Sequence, residues 1–267
     1  MLIIGEKING TRKEVARAVA ERDAEFIRNL ARSQAEAGAD FLDVNAGTKP
    51  EREPEDLVWL VQVVQEAVEK PLCLDSPNPR ALAAALKEVR TTPMVNSISG
   101  EPERLSGILP LAAEHGCSLI ALALDDSGIP KGTEGRLAVI RRLFAETRRA
   151  GVPDGRIYVD PLAMAVATDN QACTVALETI RTVHEEFPEA HFTAGLSNVS
   201  FGLPARSLVN QAFLSLALAA GLDSAILDPT DRGLMATLLA TEVVLGRDRY
   251  CMNYSKAFRS GRLGGPA

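Results

Sequence analysis

The sequence predicts a single closed (β/α)8 barrel, the TIM-barrel form of the α/β class. Short apolar runs alternate with longer amphipathic stretches from end to end, giving eight strand-then-helix units in roughly 250 residues. The apolar runs are nearly continuous, as strands covered on both faces must be. No Gly-x-Gly-x-x-Gly follows the first run, so the rival open sheet lacks its dinucleotide fingerprint.

In chain order, "LII" at 2 opens the first strand. In "AEFIRNLARSQAEAGAD", Phe26, Leu30 and Ala37 recur near helical spacing with charges between them, and Gly38 is placed to cap, so a helix is expected over 22–37. "FLDVN" at 41 is the second strand, followed by a helix at 53–68. "PLCLD" at 71 and "PMVNS" at 93 are the third and fourth, with helices at 78–88 and 102–115. "SLIALAL" at 118 leads to a helix at 133–150, and "RIYVD" at 156 to one at 171–187. "FTAGLSN" at 192 and "SAILD" at 224 complete the strands, with helices at 206–220 and 231–246. No linker, low-complexity segment or repeat beyond the βα unit interrupts 1–267, and one domain is expected. The basic, Gly-rich tail after about 255, "SKAFRSGRLGGPA", is expected to fray.

Composition narrows the function. The chain has 267 residues, 46% hydrophobic, and a net charge of −6, with no basic run to serve as a nucleic-acid footprint. The four cysteines, Cys73, Cys117, Cys173 and Cys251, have no CxxC spacing, which argues against zinc or a disulfide framework and fits a reducing compartment. "MLIIGEKING" is too short an apolar run for a signal peptide, and "FLSLALAAGL" at 213 is too short to span a bilayer. A cytoplasmic protein without membrane or nucleic-acid partners is expected.

In such barrels the working residues stand where strands end. Here every strand closes on a carboxylate or an amide: Glu6 and Asn9, Asp43 and Asn45, Asp75, Asn96, Asp125 and Asp126, Asp160, Asn198, and Asp228. "DDSG" and "DPTD" are good turn sequences, so Asp125 and Asp228 keep the turn reading. None of the three histidines, His115, His184 and His191, pairs with a Cys or another His at ligand spacing, and no Gly-x-Ser-x-Gly elbow is present. A rim of Asp and Asn without metal or nucleophile suits a flat heterocycle bearing several N–H donors and ring acceptors.

The segments "IGEKING" at 4, "GADFLDVNAG" at 38, "LCLDS" at 72 and "MVNSIS" at 94 share one pattern with "YVDPL" at 158, "GLSNVSFG" at 195 and "GLDSAILD" at 221. Together they resemble the methyltetrahydrofolate:corrinoid methyltransferases, pterin-binding barrels related to dihydropteroate synthase, over about residues 1–255. The resemblance implies methyl exchange between N5 of tetrahydrofolate and the cobalt of a corrinoid. It implies that Asp75, Asn96 and Asp160 hold the pterin and that Asn198 hydrogen-bonds near N5. Asn9, Gly195, Ser197 and Arg206 are implied as further pocket members. The loop from Phe201 to Ala205 departs from related sequences on the side of the p-aminobenzoate.

Two relatives of the same fold are alternatives. Dihydropteroate synthase fits poorly at "INGTRKEV" and "GLSNVS", and a non-catalytic folate-binding protein is the reading from another class. The folate module of methionine synthase is closer, but this chain has no Asp-x-His-x-x-Gly corrinoid signature. The corrinoid, a cobalamin, is therefore expected on a transiently docked partner, and the family implies a homodimer. Either direction of transfer is open. For methyl leaving N5, neutral Asn198 can donate an N–H to the developing charge without titrating. Small Ala194 and Gly195 are expected to leave room for the ring.

Overall fold

The computed structural model describes residues 1–263. Its strands are β1 (Leu2–Asn9), β2 (Phe41–Asn45), β3 (Leu72–Asp75), β4 (Met94–Ile98), β5 (Ser118–Leu122), β6 (Ile157–Asp160), β7 (His191–Phe192) and β8 (Ser224–Leu227). All seven ladders are parallel, in the order β7-β6-β5-β4-β3-β2-β1-β8. The barrel closes between β7 and β8, where the Ile226 N–H donates to the Ala194 carbonyl at 3.0 Å and Gly195 bridges to Ile226.

Eight crossover helices match the amphipathic stretches: α2 (Ala24–Ala37), α3 (Glu53–Ala67), α4 (Pro79–Ala85), α5 (Pro102–Glu114), α6 (Thr133–Arg149), α7 (Ala172–Glu186), α8 (Arg206–Ala220) and α9 (Arg232–Val244). Local chemistry sets their ends. Asp23 and Asp231 accept from the Phe26 and Leu234 N–H groups, and Gly38 closes α2 at φ 107°. Among the described residues, no helix is long and apolar enough to cross a membrane.

The helix inventory and the seventh strand differ from expectation. A further helix, α1 (Lys13–Glu21), follows β1, burying Val15, Ala18 and Val19 at helical spacing. Near the C-terminus lies α10 (Met252–Arg259), where the Asp248 carboxylate accepts from the Asn253 and Tyr254 N–H groups at 3.0 and 2.9 Å. Residues 264–267 of the tail after about 255 lie outside the described residues. The seventh strand does not run to Asn198: it stops at Phe192, and Leu196–Ser200 wind into a 3₁₀ turn.

Side chains alternate across a strand, so every second residue points into the barrel. Ile4, Cys73, Met94 and Ile120 are fully buried there, ringed by Leu2, Phe41, Leu122, Tyr158 and Ile226. Two residues further along six of these strands the residue is polar: Glu6 after Ile4, Asp43 after Phe41, Asp75 after Cys73, Asn96 after Met94, Asp160 after Tyr158 and Asp228 after Ile226. An apolar plug thus carries a polar layer at its C-terminal end.

The first loop above that layer is packed tightly. A Cβ on Gly10 would lie 1.9 Å from the Ala46 carbonyl oxygen, and one on Gly47 would meet Gly10 backbone at 2.5 Å. Neither backbone can yield without moving β1 or β2. Gly10→Ala is therefore expected to destabilise the fold by about 1–3 kcal/mol in urea unfolding, the usual range for overpacking. An unchanged midpoint would show that the loop is free to shift.

Candidate active site

At the C-terminal mouth the polar layer lines a cavity of about 320 Å³. β1 supplies Glu6 and Asn9, and its loop Thr11 and Arg12; Asp43, Asp75 and Asn96 come from β2, β3 and β4. Gly195, Ser197 and Asn198 form the opposite wall, with Ile226 of β8 as its apolar element.

Hydrogen bonds aim these groups. Asn45 donates its Nδ2 to Asp75 Oδ2 at 2.9 Å, which leaves Oδ1 of Asp75 for another donor. Asn96 donates its Nδ2 to Asp43 Oδ1 at 3.3 Å, which leaves the Asn96 carbonyl to accept. Asn9 Oδ1 takes the Thr11 N–H and hydroxyl at 3.0 and 2.7 Å, so only its Nδ2 remains for a ligand. Asn198 is exposed, and among the described residues its side-chain amide has no hydrogen-bond partner.

Packing carboxylates together shifts their titration. Burial, then the charge of Asp75, pushes Asp43 well above the usual carboxylate range. Asp75 is raised by burial, against the opposing Asn45 hydrogen bond and the Arg104 charge. Glu6 is raised by burial and by Asp228, while Arg12, Arg206 and Lys7 hold it down. A site lined by several carboxyl groups offers many acceptor oxygens and suits ligands rich in N–H donors.

Six of the residues implied from the sequence converge on the cavity: Asn9, Asp75, Asn96, Gly195, Ser197 and Asn198. Asp160 and Arg206 do not line it. Asp160 is buried behind Gly195, accepting from the N–H groups of Leu162, at 2.7 Å, and of Gly195. Arg206 braces the wall instead, donating to the Ser197 carbonyl at 2.7 Å and the Ser200 hydroxyl at 3.0 Å. The space at Gly195 also has a different beneficiary. A Cβ there would stand 2.9 Å from Asn198 Nδ2, so the missing side chain makes room for the asparagine amide.

Other strand-end residues have structural partners. Asp228 pairs with Lys7 at 3.0 Å and Asp125 with Arg142 at 2.9 Å. His191 bonds Asp223 at 2.6 Å, His115 the Leu111 carbonyl, and His184 packs edge-on against Phe192. Thr11, Arg12 and Ile226 are additions to the site. Arg12 carried no signal beyond lying one loop past "IGEKING", because an isolated Arg in a turn reads as surface.

The model of the family described as pterin binding enzyme matches residues 5–228. The chain belongs to the pterin binding enzymes. Among curated members, the methylcorrinoid:tetrahydrofolate methyltransferase of Eubacterium limosum is 45% identical over 266 residues, 99% of this chain and 98% of the relative. The methionine synthase of Mycobacterium tuberculosis (strain ATCC 25618 / H37Rv) is 30% identical over 85% of this chain, which spans only 20% of that protein. In three dimensions this pterin binding enzyme shares its fold with a dihydropteroate synthase from Xanthomonas albilineans solved with indole-2-carboxylic acid and 6-chloroguanine. The TM-score is 0.69 at 20% identity, covering 91% of this chain and 92% of that one.

Asp160 makes the buried acid measurable. Burial pushes its carboxyl up to about 6 from an ordinary 3.8, against the Leu162 and Gly195 N–H groups and Arg136. The folded value is the higher one, so this group's contribution is full below the unfolded value and is lost as pH rises through about 6. Asp160→Asn should therefore be more stable than wild type at pH 8 by ~1–3 kcal/mol in urea unfolding of the ligand-free protein, with the gap closing towards pH 4. A variant less stable at pH 8 would mean that the two backbone hydrogen bonds to the carboxylate outweigh its desolvation.

Proposed function

We propose that this enzyme moves a methyl group from a methylcorrinoid, carried by a separate protein, to N5 of tetrahydrofolate. The observation that carries this reading is the unpartnered amide of Asn198, facing Asp75 and Asn96 across the cavity, in a chain similar over its whole length to a protein named for that reaction. The direction follows that relative's name. A dihydropteroate synthase is disfavoured, because the likeness to those enzymes reaches only 16–20% identity and extends to the fold alone.

In this reading the pterin enters with its amino and ring N–H edge towards the acidic layer. Asp75 Oδ1 and Asp160 accept from that edge, and the Asn96 carbonyl accepts a further donor. Asp160 is the least accessible of these, buried beside the Gly195 N–H that it accepts from. Ionised acceptors suit the ligand's N–H groups, so bound pterin favours the ionised form of the carboxyls that accept from it.

The transfer is a displacement at carbon. The lone pair of N5 attacks the methyl carbon, the cobalt–carbon bond breaks, and its electron pair stays on cobalt as Co(I). N5 then carries a positive charge and releases its proton to solvent. A tetrahydrofolate N5 bears an N–H, so the Asn198 carbonyl is the partner in this direction, leaving the lone pair for the methyl. As N5 loses electron density its N–H becomes more acidic and that hydrogen bond strengthens, which selects the transition state over the ground state. Run backwards, the same contact keeps a proton on the N5 that must leave. An Asp at 198 would add one more charge to a crowded acidic site, and a Lys would compete for the proton.

Partner docking requires an open mouth, and Asn198 lies at its exposed edge. We also place the enzyme in the cytoplasm, where free thiols such as exposed Cys251 persist. A homodimer is part of the proposal, with Leu208 and Leu216 of α8 and Val244 of α9 as exposed apolar candidates for its interface.

Anaerobic mixing with methylcobalamin and tetrahydrofolate tests the reading directly. Growth of the Co(I) spectrum, dependent on both enzyme and folate, is expected. A protein that binds folate without any change at cobalt would be a non-catalytic binder. Asn198→Ala should lower kcat by about 100-fold or more, the usual cost of losing one transition-state hydrogen bond. Wild-type turnover in that variant would remove Asn198 from the mechanism.

A further inference from the structure

We propose that Arg12 binds the glutamate carboxylates of the folate tail, giving the cavity an outer subsite for the anionic end of its substrate. This rests on the folate reading above and extends it beyond the pterin and N5.

Ring connectivity decides where the tail must go. N5 of a tetrahydropterin is bonded to C6, the carbon that bears the tail, so a pterin with N5 at Asn198 starts its tail beside Asn198. The edge bearing the amino group lies at the other end of the bicycle, inside the acidic layer, so the tail leads outward. β8 separates β7 from β1 in the closed barrel. The wall facing Asn198 across β8 is therefore the loop after β1, which contributes Thr11 and Arg12.

The acidic lining around that exit favours a cation beside it. Glu6, Asp43 and Asp75 all line the cavity, and a folate tail brings two more carboxylates towards them. Three cations act on Glu6: Arg12, Arg206 and Lys7. Two of them are committed. Lys7 holds Asp228 and the Thr230 hydroxyl, each at 3.0 Å, and Arg206 holds the Ser197 carbonyl and the Ser200 hydroxyl. Among the described residues Arg12 makes no side-chain hydrogen bond or ion pair, although it is the one of the three that lines the cavity. Its guanidinium is exposed and reaches from a loop whose backbone is held by the Gly10–Gly47 approach and the Asn9 turn. A planar fork on a fixed base can take a carboxylate through two N–H groups.

The test compares three ligands by titration calorimetry: tetrahydrofolate, its uncharged α,γ-diamide, and tailless 6-methyltetrahydropterin. Arg12→Ala is expected to weaken tetrahydrofolate roughly tenfold, the scale of one charge-assisted hydrogen bond, with the other two ligands unchanged. Arg12→Lys should restore part of the loss, and added salt should shrink the wild-type preference for the charged tail. Equal weakening of all three ligands would assign Arg12 to the pterin pocket and overturn the proposal. So would unchanged tetrahydrofolate affinity, including the case in which only KM for the corrinoid protein rises. A wild-type protein that binds none of the three would sink the folate reading itself, and this subsite with it.

Discussion

Ile4 and Glu6, Cys73 and Asp75, Met94 and Asn96, and Tyr158 and Asp160 stand two positions apart, and in a parallel barrel that spacing leaves no freedom. If the first member of each pair fills the barrel, the second must stand above it on the same side. The sequence therefore builds a sealed apolar plug and an acidic layer in one step. The plug excludes water from below, and burial raises Asp43, Asp75 and Asp160 above their ordinary values. The amides of Asn45 and Asn96 each donate to one oxygen of two of those carboxylates, Asp75 and Asp43. Everything proposed about pterin recognition depends on that layer.

The opposite wall obeys a different constraint. β7 has only two residues, because the chain after Phe192 leaves the ladder and winds into the turn that carries Asn198. That wall is held from both sides: Ile226 pairs with it through Ala194 and Gly195, and Arg206 grips the turn at Ser197 and Ser200. The Asn198 amide on that turn is exposed, and the backbone that carries it is held by these contacts. The arrangement suits a reaction whose second substrate arrives on another protein. In the proposed reaction, buried acidity would hold the small substrate and the open outer edge would receive the corrinoid.

Much of this was legible from residue pattern. The crossover helices fell where the amphipathic stretches predicted, and the strand-end polar residues were visible as a set before any of them had a place. Periodicity failed where it had little to work with. α1 is a short, strongly charged helix whose apolar face is only Val15, Ala18 and Val19, and the seventh strand looked longer because Ala194 and Leu196 are apolar for reasons of burial alone. Side-chain aim was not legible. That Arg206 braces a turn, that Asp160 sits behind Gly195, and that Gly195 is small for the sake of Asn198 all depend on distances between strands that no spacing along the chain reveals.

The central claim is that the acidic layer grips the inner edge of a reduced pterin while Asn198 holds N5. A crystal structure of the enzyme with tetrahydrofolate tests it most directly. The account predicts the pterin amino group and ring N–H at hydrogen-bonding distance from Asp75 and Asp160, with the Asn198 carboxamide at the same distance from N5. A pterin seated elsewhere, or bound with N5 turned towards Asp43 and away from Asn198, would contradict it.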